Sequence, residues 1–327
     1  MKQLLEDIRV IDMTHVWFGP WCTLMLAEMG AEVIKVEPPW GSLGRLSEHG
    51  PMYGGASPTF HHLNLNKKDL SVNLKDPRGK EILLKLVEKT DVIVNNYVPG
   101  TMDRMGFGYE TLQEHKPDII YAALSGFGET GPYSQRPSYA MIAESYTGFT
   151  RQQGDNVDPE GPPYTMTGAF GDLAPGTMAA MSIIAALRYR DKTGKGQKID
   201  VAQIDTMFAY NVNTTHYFLS GKHEKTRREE QEEIRKKTNQ QSIGGIHPVK
   251  DGSIFLMGYR AKGMDALKKK LNVEDVTKEM IKEYIKDMTR EEAVVFFTEI
   301  GLPVAPVNYT SEATRDPHII ERDMIKQ

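Results

Sequence analysis

The sequence predicts an α/β fold, with a large domain built on a Rossmann-like, mostly parallel sheet and a smaller α+β domain. Short β-branched runs, such as 8–11 and 32–36, alternate with longer helical patterns, such as 77–88. This alternation is typical of parallel strands joined by helices that cover both faces of a sheet. A run dense in charges of both signs, 222–240, is typical of a solvated helix or a linker. We therefore predict a large domain over 1–221, a charged linker over 222–240 and a small domain over 241–327.

Local patterns give the elements of the large domain. Strands are predicted at 8–11, 32–36, 69–74, 91–94, 119–124 and 198–201, and helices at 22–29, 77–88, 112–115, 174–189 and 205–218. Gly30 ends the first helix and Pro77 begins the second, since these residue types favour those positions. The stretch 125–171 is rich in Gly, Pro, Tyr and Ser and is predicted to be irregular. Loops of this length inside a compact domain are usually functional.

The small domain is predicted to contain a hairpin over 245–258, with its turn at 250–252. Helices are predicted at 264–271, 278–288 and 290–300, and a strand at 304–308. The mixture of a hairpin with helices indicates an α+β arrangement.

Charge and cysteine content favour an intracellular protein that does not bind nucleic acid. The net charge is −4, so no overall basic field attracts a polyanion. Cys22 is the single cysteine of the sequence, which excludes an internal disulfide and fits a reducing cytoplasm. Residues 1–10 carry Glu6, Asp7 and Arg9 and do not resemble a signal peptide. No stretch of the sequence approaches the roughly 18 apolar residues of a membrane span.

Several common catalytic motifs are absent from the sequence. The loop after the first strand, 14–20, reads THVWFGP and has no GxGxxG pattern, and there is neither a Walker A lysine nor a GxSxG elbow. These absences disfavour nicotinamide and nucleoside-triphosphate enzymes. His61 and His62 are adjacent rather than one helical turn apart, which makes them a poor metal pair, and no metal site is predicted.

Asp172 is the candidate catalytic residue. It follows Gly171 and precedes a helix of Ala and Met with few charges, which predicts a largely buried helix. One interpretation is a helix cap, in which the carboxylate accepts a backbone N–H. The other is a nucleophile, because glycines allow a bulky ligand to approach closely and a helix N-terminus favours the negative charge. The two interpretations are compatible.

Further blocks follow one another in a recognisable order. They are 10–16 (VIDMTHV) with Gly19-Pro20, 30–37 (GAEVIKVE), 63–68 (LNLNKK), 96–100 (NYVPG) with 103–107 (DRMGF), 125–128 (SGFG), Gly171-Asp172 and 193–197 (TGKGQ). Together they resemble the class III CoA-transferase family, of the formyl-CoA:oxalate and carnitine CoA-transferase type. The resemblance spans 8–205 and continues more weakly through 250–252 (KDG) and 302–304 (LPV).

The resemblance implies a reaction and a set of contacts. Asp172 would attack an acyl-CoA thioester, CoA thiolate would open the resulting anhydride to an aspartyl-CoA thioester, and an acceptor carboxylate would reverse the sequence. Coenzyme A and acyl-CoA would be substrates, with no permanently bound cofactor. The partners would be acyl-CoA and a small carboxylic acid, with no nucleic acid or membrane, and the chains would form an interlocked homodimer. The implied CoA-binding residues are Val16, Trp17, Val72, Asn73, Lys75, Asn96, Tyr97, Arg104 and Tyr139.

Some positions depart from the oxalate-using members of the family. Trp17 stands where they carry glutamine, and Ala140 where they carry glutamate. Pro38 and Pro137 replace basic residues, although Arg136 is adjacent, and the glycine-rich lid is reduced to Gly244-Gly245. These departures motivate the hypothesis that the acid is larger or less polar than oxalate.

Two alternatives stay open at this point. The family also contains α-methylacyl-CoA racemases, which use a histidine beside an aspartate where this chain has Tyr139-Ala140; a tyrosine is a weak base at neutral pH. A non-catalytic acyl-CoA-binding protein is the second alternative. It is motivated by the C-terminus at 323–327, where the resemblance implies a return segment that is missing or short.

Overall fold

A computed structural model describes residues 3–46, 52–158, 160–223, 229–230, 233, 243–258 and 261–325. Its contacts divide the chain into two compact units, Met1–Lys222 and His223–Gln327. Most of the predicted linker, 222–240, lies outside the described residues.

A six-stranded sheet forms the centre of the first unit. All its strands are parallel and follow the order β3-β2-β1-β4-β5-β6. The strands are β1 Arg9–Met13, β2 Glu32–Glu37, β3 Lys68–Ser71, β4 Val92–Asn95, β5 Ile120–Ser125 and β6 Gln197–Ala202. Both β4 and β5 are buried along their whole length, as expected for parallel strands covered on two faces. The predicted Rossmann-like α/β fold is therefore confirmed.

Helices cover both faces of this sheet. The helices described in the first unit are α1 Phe18–Glu28, α2 Pro58–Leu63, α3 Pro77–Val87, α4 Thr101–Met105, α5 Tyr109–His115, α6 Ala140–Tyr146, α7 Phe149–Val157, α8 Phe170–Thr193, α9 Gln203–Tyr210 and α10 Val212–Ser220. Successive strand residues alternate between the faces. Val10 packs in the core with α1 and α8, whereas Ile11 packs in the core with α3 and α5.

Helix α8 is the central helix of the first unit. Its 24 residues are long enough and apolar enough to cross a membrane by length and composition, contrary to the expectation from the sequence. The same composition is typical of a core helix, and Ala179, Ile183 and Leu187 of α8 pack in the core beside the sheet.

Two predicted regions differ from the structure. The stretch 125–171 contains α6 and α7, because Ala143 is buried against Ala174 and Met207 and tertiary packing overrides the loop-like composition. The helix predicted over 205–218 is two helices. Asn211 ends α9 and caps α10, accepting a hydrogen bond from the backbone N–H of Asn213 at 3.1 Å.

The second unit combines a small antiparallel sheet with helices, as predicted. The strands, in the order β7-β8-β9, are β7 Gly245–Val249, β8 Gly252–Leu256 and β9 Val304–Pro306. The helices are α11 Ala261–Leu271, α12 Lys278–Ile285, α13 Arg290–Glu299, α14 Thr310–Ala313 and α15 Pro317–Glu321. Its core contains Ile254, Ile281, Ile285 and Phe297.

Candidate active site

A cavity of about 300 Å³ opens at the carboxyl edge of the parallel sheet, and we name it the edge cavity. Its walls come mainly from segments that follow β1, β4, β5 and β6. Neighbouring strands β1 and β4 mark the point where the strand order reverses, which is where open α/β sheets bind ligands. The lining residues are His15, Val16, Trp17, Phe18, Asn96, Tyr97, Val98, Thr101, Leu124, Ser125, Gly126, Pro137, Ser138, Tyr139, Asp172 and Gln203.

The loop between β1 and α1 forms one wall in a strained conformation. Val16 has a φ of 66°, in the left-handed region that β-branched residues rarely adopt. Such strain, about 1–3 kcal/mol, persists only where the surroundings fix the backbone. Contacts on both sides of this loop provide that support.

A buried cluster of charged residues stabilises the start of this loop. Asp12 accepts hydrogen bonds from the hydroxyls of Thr14, at 2.5 Å, and Thr23, at 2.6 Å. The Nζ of Lys67 donates to Asp12 Oδ2 at 3.0 Å, and the Nζ of Lys35 donates to the carbonyl oxygen of Thr14 at 2.9 Å. The cluster thereby joins β1, β2 and the start of the loop.

Electrostatics keep the cluster charged despite its burial. Burial opposes the charge on Asp12, but Lys35, Lys67 and the two hydroxyls together hold the pKa of Asp12 well below its usual range. Burial lowers the pKa of Lys67 to about 8, with Asp12 opposing the shift. A buried ammonium and a buried carboxylate therefore depend on each other.

Asn96 holds the loop from the other side. Its Oδ1 accepts from the backbone N–H of His15 and its Nδ2 donates to the backbone carbonyl of His15, each at 2.9 Å. The rings of His15 and Tyr97 are 5.5 Å apart. The loops after β1 and β4 are thus fixed to each other where both line the cavity.

Burial also changes the acidity of the two rings in this wall. It lowers the pKa of His15, with Lys35 acting in the same direction and Asp12 opposing. It raises the pKa of Tyr97, with the charge of Asp12 adding to the effect. His15 therefore presents a neutral imidazole, and Tyr97 a neutral phenol, to the cavity at neutral pH.

Asp172 lies in the first turn of α8 and is 6% exposed. The chain enters this turn through Gly168 and Ala169, whose φ values are 84° and 51°. Ala169, not Asp172, is the cap residue, because the helix begins four residues before its predicted start at 174. The helix-cap interpretation of Asp172 is therefore wrong. The Nε2 of Gln203 instead donates to Oδ1 of Asp172.

Glycines allow close backbone contacts around Asp172. The N–H of Gly171 donates to Oε1 of Glu144 at 2.8 Å, and Glu144 is 1% exposed. A Cβ at Gly171 would lie 2.4 Å from the carbonyl oxygen of Ala140. A Cβ at Gly126 would lie 2.2 Å from the Cβ of Ser138. These contacts fix the turn before Asp172 against α6, and the end of β5 against the wall of the cavity.

The structure brings most of the predicted site residues together. Val16, Trp17, Asn96, Tyr97 and Tyr139 line the edge cavity with Asp172. Whether they contact CoA stays a prediction.

Four predicted residues lie outside the cavity lining. Arg104 donates to the hydroxyl of Thr101 at 2.8 Å, and Thr101 does line the cavity. Val72, Asn73 and Lys75 follow β3 at the same edge of the sheet. Val72 is buried, and the Nζ of Lys75 lies 5.7 Å from the centre of the Trp40 ring.

Sequence reasoning missed Gln203 and Glu144. Gln203 directly follows β6, and residues at the carboxyl ends of parallel strands meet at the ligand-binding edge of the sheet. Its position after a predicted strand could therefore have identified it as a candidate site residue. Glu144 had no such signal, because the segment around it was predicted to be irregular.

The arrangement suits a carboxylate nucleophile. Asp172 is shielded from bulk water at the N-terminus of a long helix, whose dipole favours negative charge there. Its Oδ1 is oriented by an amide donor, and the cavity has room for the end of a substrate. Among the described residues, no group of three or more His, Cys, Asp and Glu could hold a metal ion.

Known proteins resemble this chain over two thirds of its length or more. The profile described as "CoA-transferase family III" matches residues 5–327. Succinyl-CoA:mesaconate CoA-transferase of Haloarcula marismortui is 32% identical over 357 residues, covering 99% of this chain and 85% of that protein. Human succinyl-CoA:glutarate CoA-transferase is 40% identical over 225 residues, covering 68% of this chain and 50% of that protein.

A solved structure shares the fold. A CAIB/BAIF family protein from Brucella suis has a TM-score of 0.85 and 26% sequence identity, with 99% of this chain and 89% of that chain covered. The family match and the identity to the Haloarcula marismortui protein agree with the geometry of the edge cavity. The chain therefore belongs to CoA-transferase family III and is a CoA-transferase.

Proposed function

We propose that the protein transfers CoA from an acyl-CoA donor to a free carboxylic acid through a covalent intermediate on Asp172. The observation that carries the proposal is the position of this carboxylate, buried at the N-terminus of α8 and inside the edge cavity. Five of the predicted CoA-binding residues line the same cavity. A thioester held against these walls would have its carbonyl carbon within reach of the carboxylate.

The reaction would run through four attacks. The carboxylate of Asp172 attacks the thioester carbonyl, forming a mixed anhydride and releasing CoA thiolate. The thiolate attacks Cγ of Asp172, forming the aspartyl-CoA thioester and releasing the donor acid. The acceptor carboxylate attacks the same Cγ and releases the thiolate, which finally attacks the new acyl carbonyl and restores the carboxylate. Each step exchanges one activated acyl bond for another, so no single large barrier has to be crossed.

Positive side chains near the cavity are proposed to hold the phosphates of CoA. Arg104 is one helical turn from the cavity-lining Thr101, and a guanidinium binds phosphate with two parallel hydrogen bonds. Lys75, at the same edge of the sheet, would provide a second charge. The homodimer and the cytoplasmic location remain predictions.

We further propose that the donor is succinyl-CoA and that the acceptor is a dicarboxylic acid larger than oxalate. The relatives named above act, by name, on succinyl-CoA with mesaconate or glutarate. Trp17 in the cavity wall offers apolar surface to a longer acid. Measuring kcat/KM for oxalate, mesaconate and glutarate with succinyl-CoA tests this; faster transfer to oxalate than to both longer acids would contradict it.

Replacing Asp172 tests the mechanism. We expect Asp172→Asn to lower kcat by about 10³-fold or more, because a nucleophile that acts as a unit with its surroundings is lost. With acyl-CoA present, hydroxylamine should convert Asp172 of the natural protein to a hydroxamate, detected by peptide mass spectrometry. Asp191→Asn is the matched control, since Asp191 is an exposed carboxylate at the other end of α8.

Two results would contradict the mechanism. One is an active Asp172→Asn variant; the other is the absence of a hydroxamate in the natural protein while it turns over. Uptake of deuterium at C2 of a chiral 2-methylacyl-CoA in deuterated water would favour the racemase alternative instead.

A further inference from the structure

Gln203 is fixed next to the nucleophile by the main chain. It is the first residue of α9, directly after β6, and it is 3% exposed. Strand β6 pairs with β5, placing Ala202 opposite Ser125. The N–H of Ile204 then donates to the carbonyl oxygen of Gly126 at 3.1 Å. The backbone on both sides of Gln203 is therefore tied to the end of β5, at the wall of the edge cavity.

The amide of Gln203 has a defined orientation. Its Nε2 donates to Oδ1 of Asp172, and both residues line the edge cavity. Burying an amide N–H without an acceptor costs free energy, so the Nε2 donor is expected to keep its hydrogen bond to the carboxylate. The donor is present before any substrate binds, which is the requirement for preorganised electrostatic stabilisation.

We propose that Gln203 is a catalytic residue that stabilises the negative charge formed on Oδ1 whenever Cγ of Asp172 is attacked. The inference rests on the proposed function, in which Asp172 forms an anhydride and then a thioester. In this proposal Oδ2 makes the bond to the acyl group, while Oδ1 keeps its hydrogen bond from the amide. Oδ1 would then be the carbonyl oxygen of the aspartyl anhydride.

The charge on Oδ1 changes at two steps. When the thiolate attacks Cγ, the new C–S bond forms and the electron pair of the C=O bond moves onto Oδ1. Collapse of this adduct re-forms the C=O bond and breaks the Cγ–O bond, so that the donor acid leaves as a carboxylate. The acceptor carboxylate then attacks Cγ in the same way, and the thiolate leaves. In both adducts a full negative charge is on the oxygen that the amide of Gln203 contacts.

The other two attacks occur at the acyl carbonyl of the donor and of the product. Their oxyanion is on the substrate rather than on Oδ1. Gln203 is therefore expected to accelerate the formation and the decay of the aspartyl-CoA thioester, with little influence on the binding of acyl-CoA.

Gln203→Met tests the inference, because methionine has a similar length and flexibility but no N–H donor. We expect kcat to fall by about 10²–10³-fold, the loss typical of one oxyanion donor, while KM for acyl-CoA stays unchanged. Rapid acid quenching after mixing with acyl-CoA, followed by mass spectrometry of the intact protein, should show that the aspartyl-CoA thioester on Asp172 forms more slowly, by a similar factor. Gln113→Met is the matched control, since Gln113 donates to the hydroxyl of Tyr109 at 2.9 Å, outside the cavity.

The outcomes separate this inference from the proposed function. A kcat for Gln203→Met equal to that of the natural protein would overturn the role of the amide. So would a fall in kcat accompanied by an equal rise in KM and a lower melting temperature, which would indicate a packing role. If Asp172→Asn is inactive and the aspartyl-CoA thioester forms at the same rate in the natural protein and in Gln203→Met, the covalent mechanism stands and only the role of Gln203 fails.

Discussion

At the scale of single residues, the stability of the loop before α1 depends on Asp12. Asp12 is fully buried and faces the ammonium groups of Lys35 and Lys67. We expect Asp12→Asn to lower the free energy of unfolding by about 3–5 kcal/mol, because it leaves buried cations without their counterion. Urea denaturation followed by circular dichroism measures this loss.

A matched control distinguishes this effect from a general effect of removing charge. Glu81 forms an exposed ion pair with Lys85, one helical turn away on α3, so Glu81→Gln should change stability little. Combining Asp12→Asn with Lys67→Met should restore part of the stability, since the uncompensated cation is then removed. A loss for Asp12→Asn no larger than that for Glu81→Gln would refute the dependence.

Asp172 shows what the sequence can and cannot reveal about one residue. Its place after a glycine and at the start of a long apolar helix, together with the ordered blocks around it, predicts a nucleophile, and this role stays a prediction. The start of the helix was predicted four residues late, because Gly168, Ala169 and Gly171 are unusual at a helix start and only tertiary contacts explain them. The hydrogen bond between Gln203 and Asp172 joins residues 31 positions apart, and a local sequence pattern cannot indicate such a contact.

At the scale of elements, α6 contributes a buried carboxylate that binds the first turn of α8. Glu144 Oε1 accepts from the N–H of Gly171, while no partner for its Oε2 is found among the described residues. We expect Glu144→Ala to lower the free energy of unfolding by about 1–3 kcal/mol, because the N–H loses its acceptor. The turn that carries Asp172 should also become less well positioned, which lowers kcat.

Glu144→Gln is the matched variant, since it keeps an oxygen that can accept from Gly171. We expect it to retain more of both kcat and stability than Glu144→Ala, as measured by transfer assays and urea denaturation. Equal losses in the two variants would show that the carboxylate does not act through this hydrogen bond.

Strands were easier to predict than the helices near the site. Strands β4 and β5 are buried along their whole length, and burial on both faces leaves a nearly continuous apolar pattern in the sequence. Helices α6 and α7 bury few residues each, and the segment around them contains many glycines and prolines. Their stability comes from packing, such as Ala143 against Met207, which a local pattern does not contain.

At the scale of the whole molecule, the second unit contains a feature that should make it sensitive to acid. His247 is fully buried, its Nε2 contacts the carbonyl oxygen of Ile243 at 2.8 Å, and its Nδ1 has no partner among the described residues. Burial lowers the pKa of His247 below 6.5; the Ile243 carbonyl opposes the shift and two lysines, Lys278 and Lys282, add to it.

The sign of the pH dependence follows from this shift. Because the folded pKa is lowered, the unfolded chain binds a proton more readily than the folded unit as the pH falls below 6.5. The contribution to stability is present above that pH and is lost on acidification. We expect the melting temperature to fall between pH 7.5 and pH 5.5, and His247→Leu to show a smaller fall. An equal fall in the natural protein and the variant would assign the acid sensitivity to other groups.

The class of the fold could be predicted from the sequence, but the positions of the site residues in it could not. Alternating strands and helices are sufficient to indicate a parallel sheet. The order β3-β2-β1-β4-β5-β6 brings the ends of β1 and β4 together, and so places Asn96 against His15 across 81 positions of sequence. That pairing depends on the path of the whole chain.

Gly126, which lines the edge cavity, and Gly171, which lies in the turn before Asp172, differ from Trp17 and Tyr139 in how freely they can be substituted. A side chain at either position would collide with Ser138 or with the backbone of Ala140, so we expect both positions to reject substitution. Trp17 is half-buried and Tyr139 is 57% exposed, so their side chains can change without such collisions. Under the proposed function, a new acceptor acid could therefore be accommodated by substitutions at positions 17 and 139 while the turn that carries Asp172 is preserved. Libraries designed to redirect this enzyme to another acceptor should randomise those two positions first.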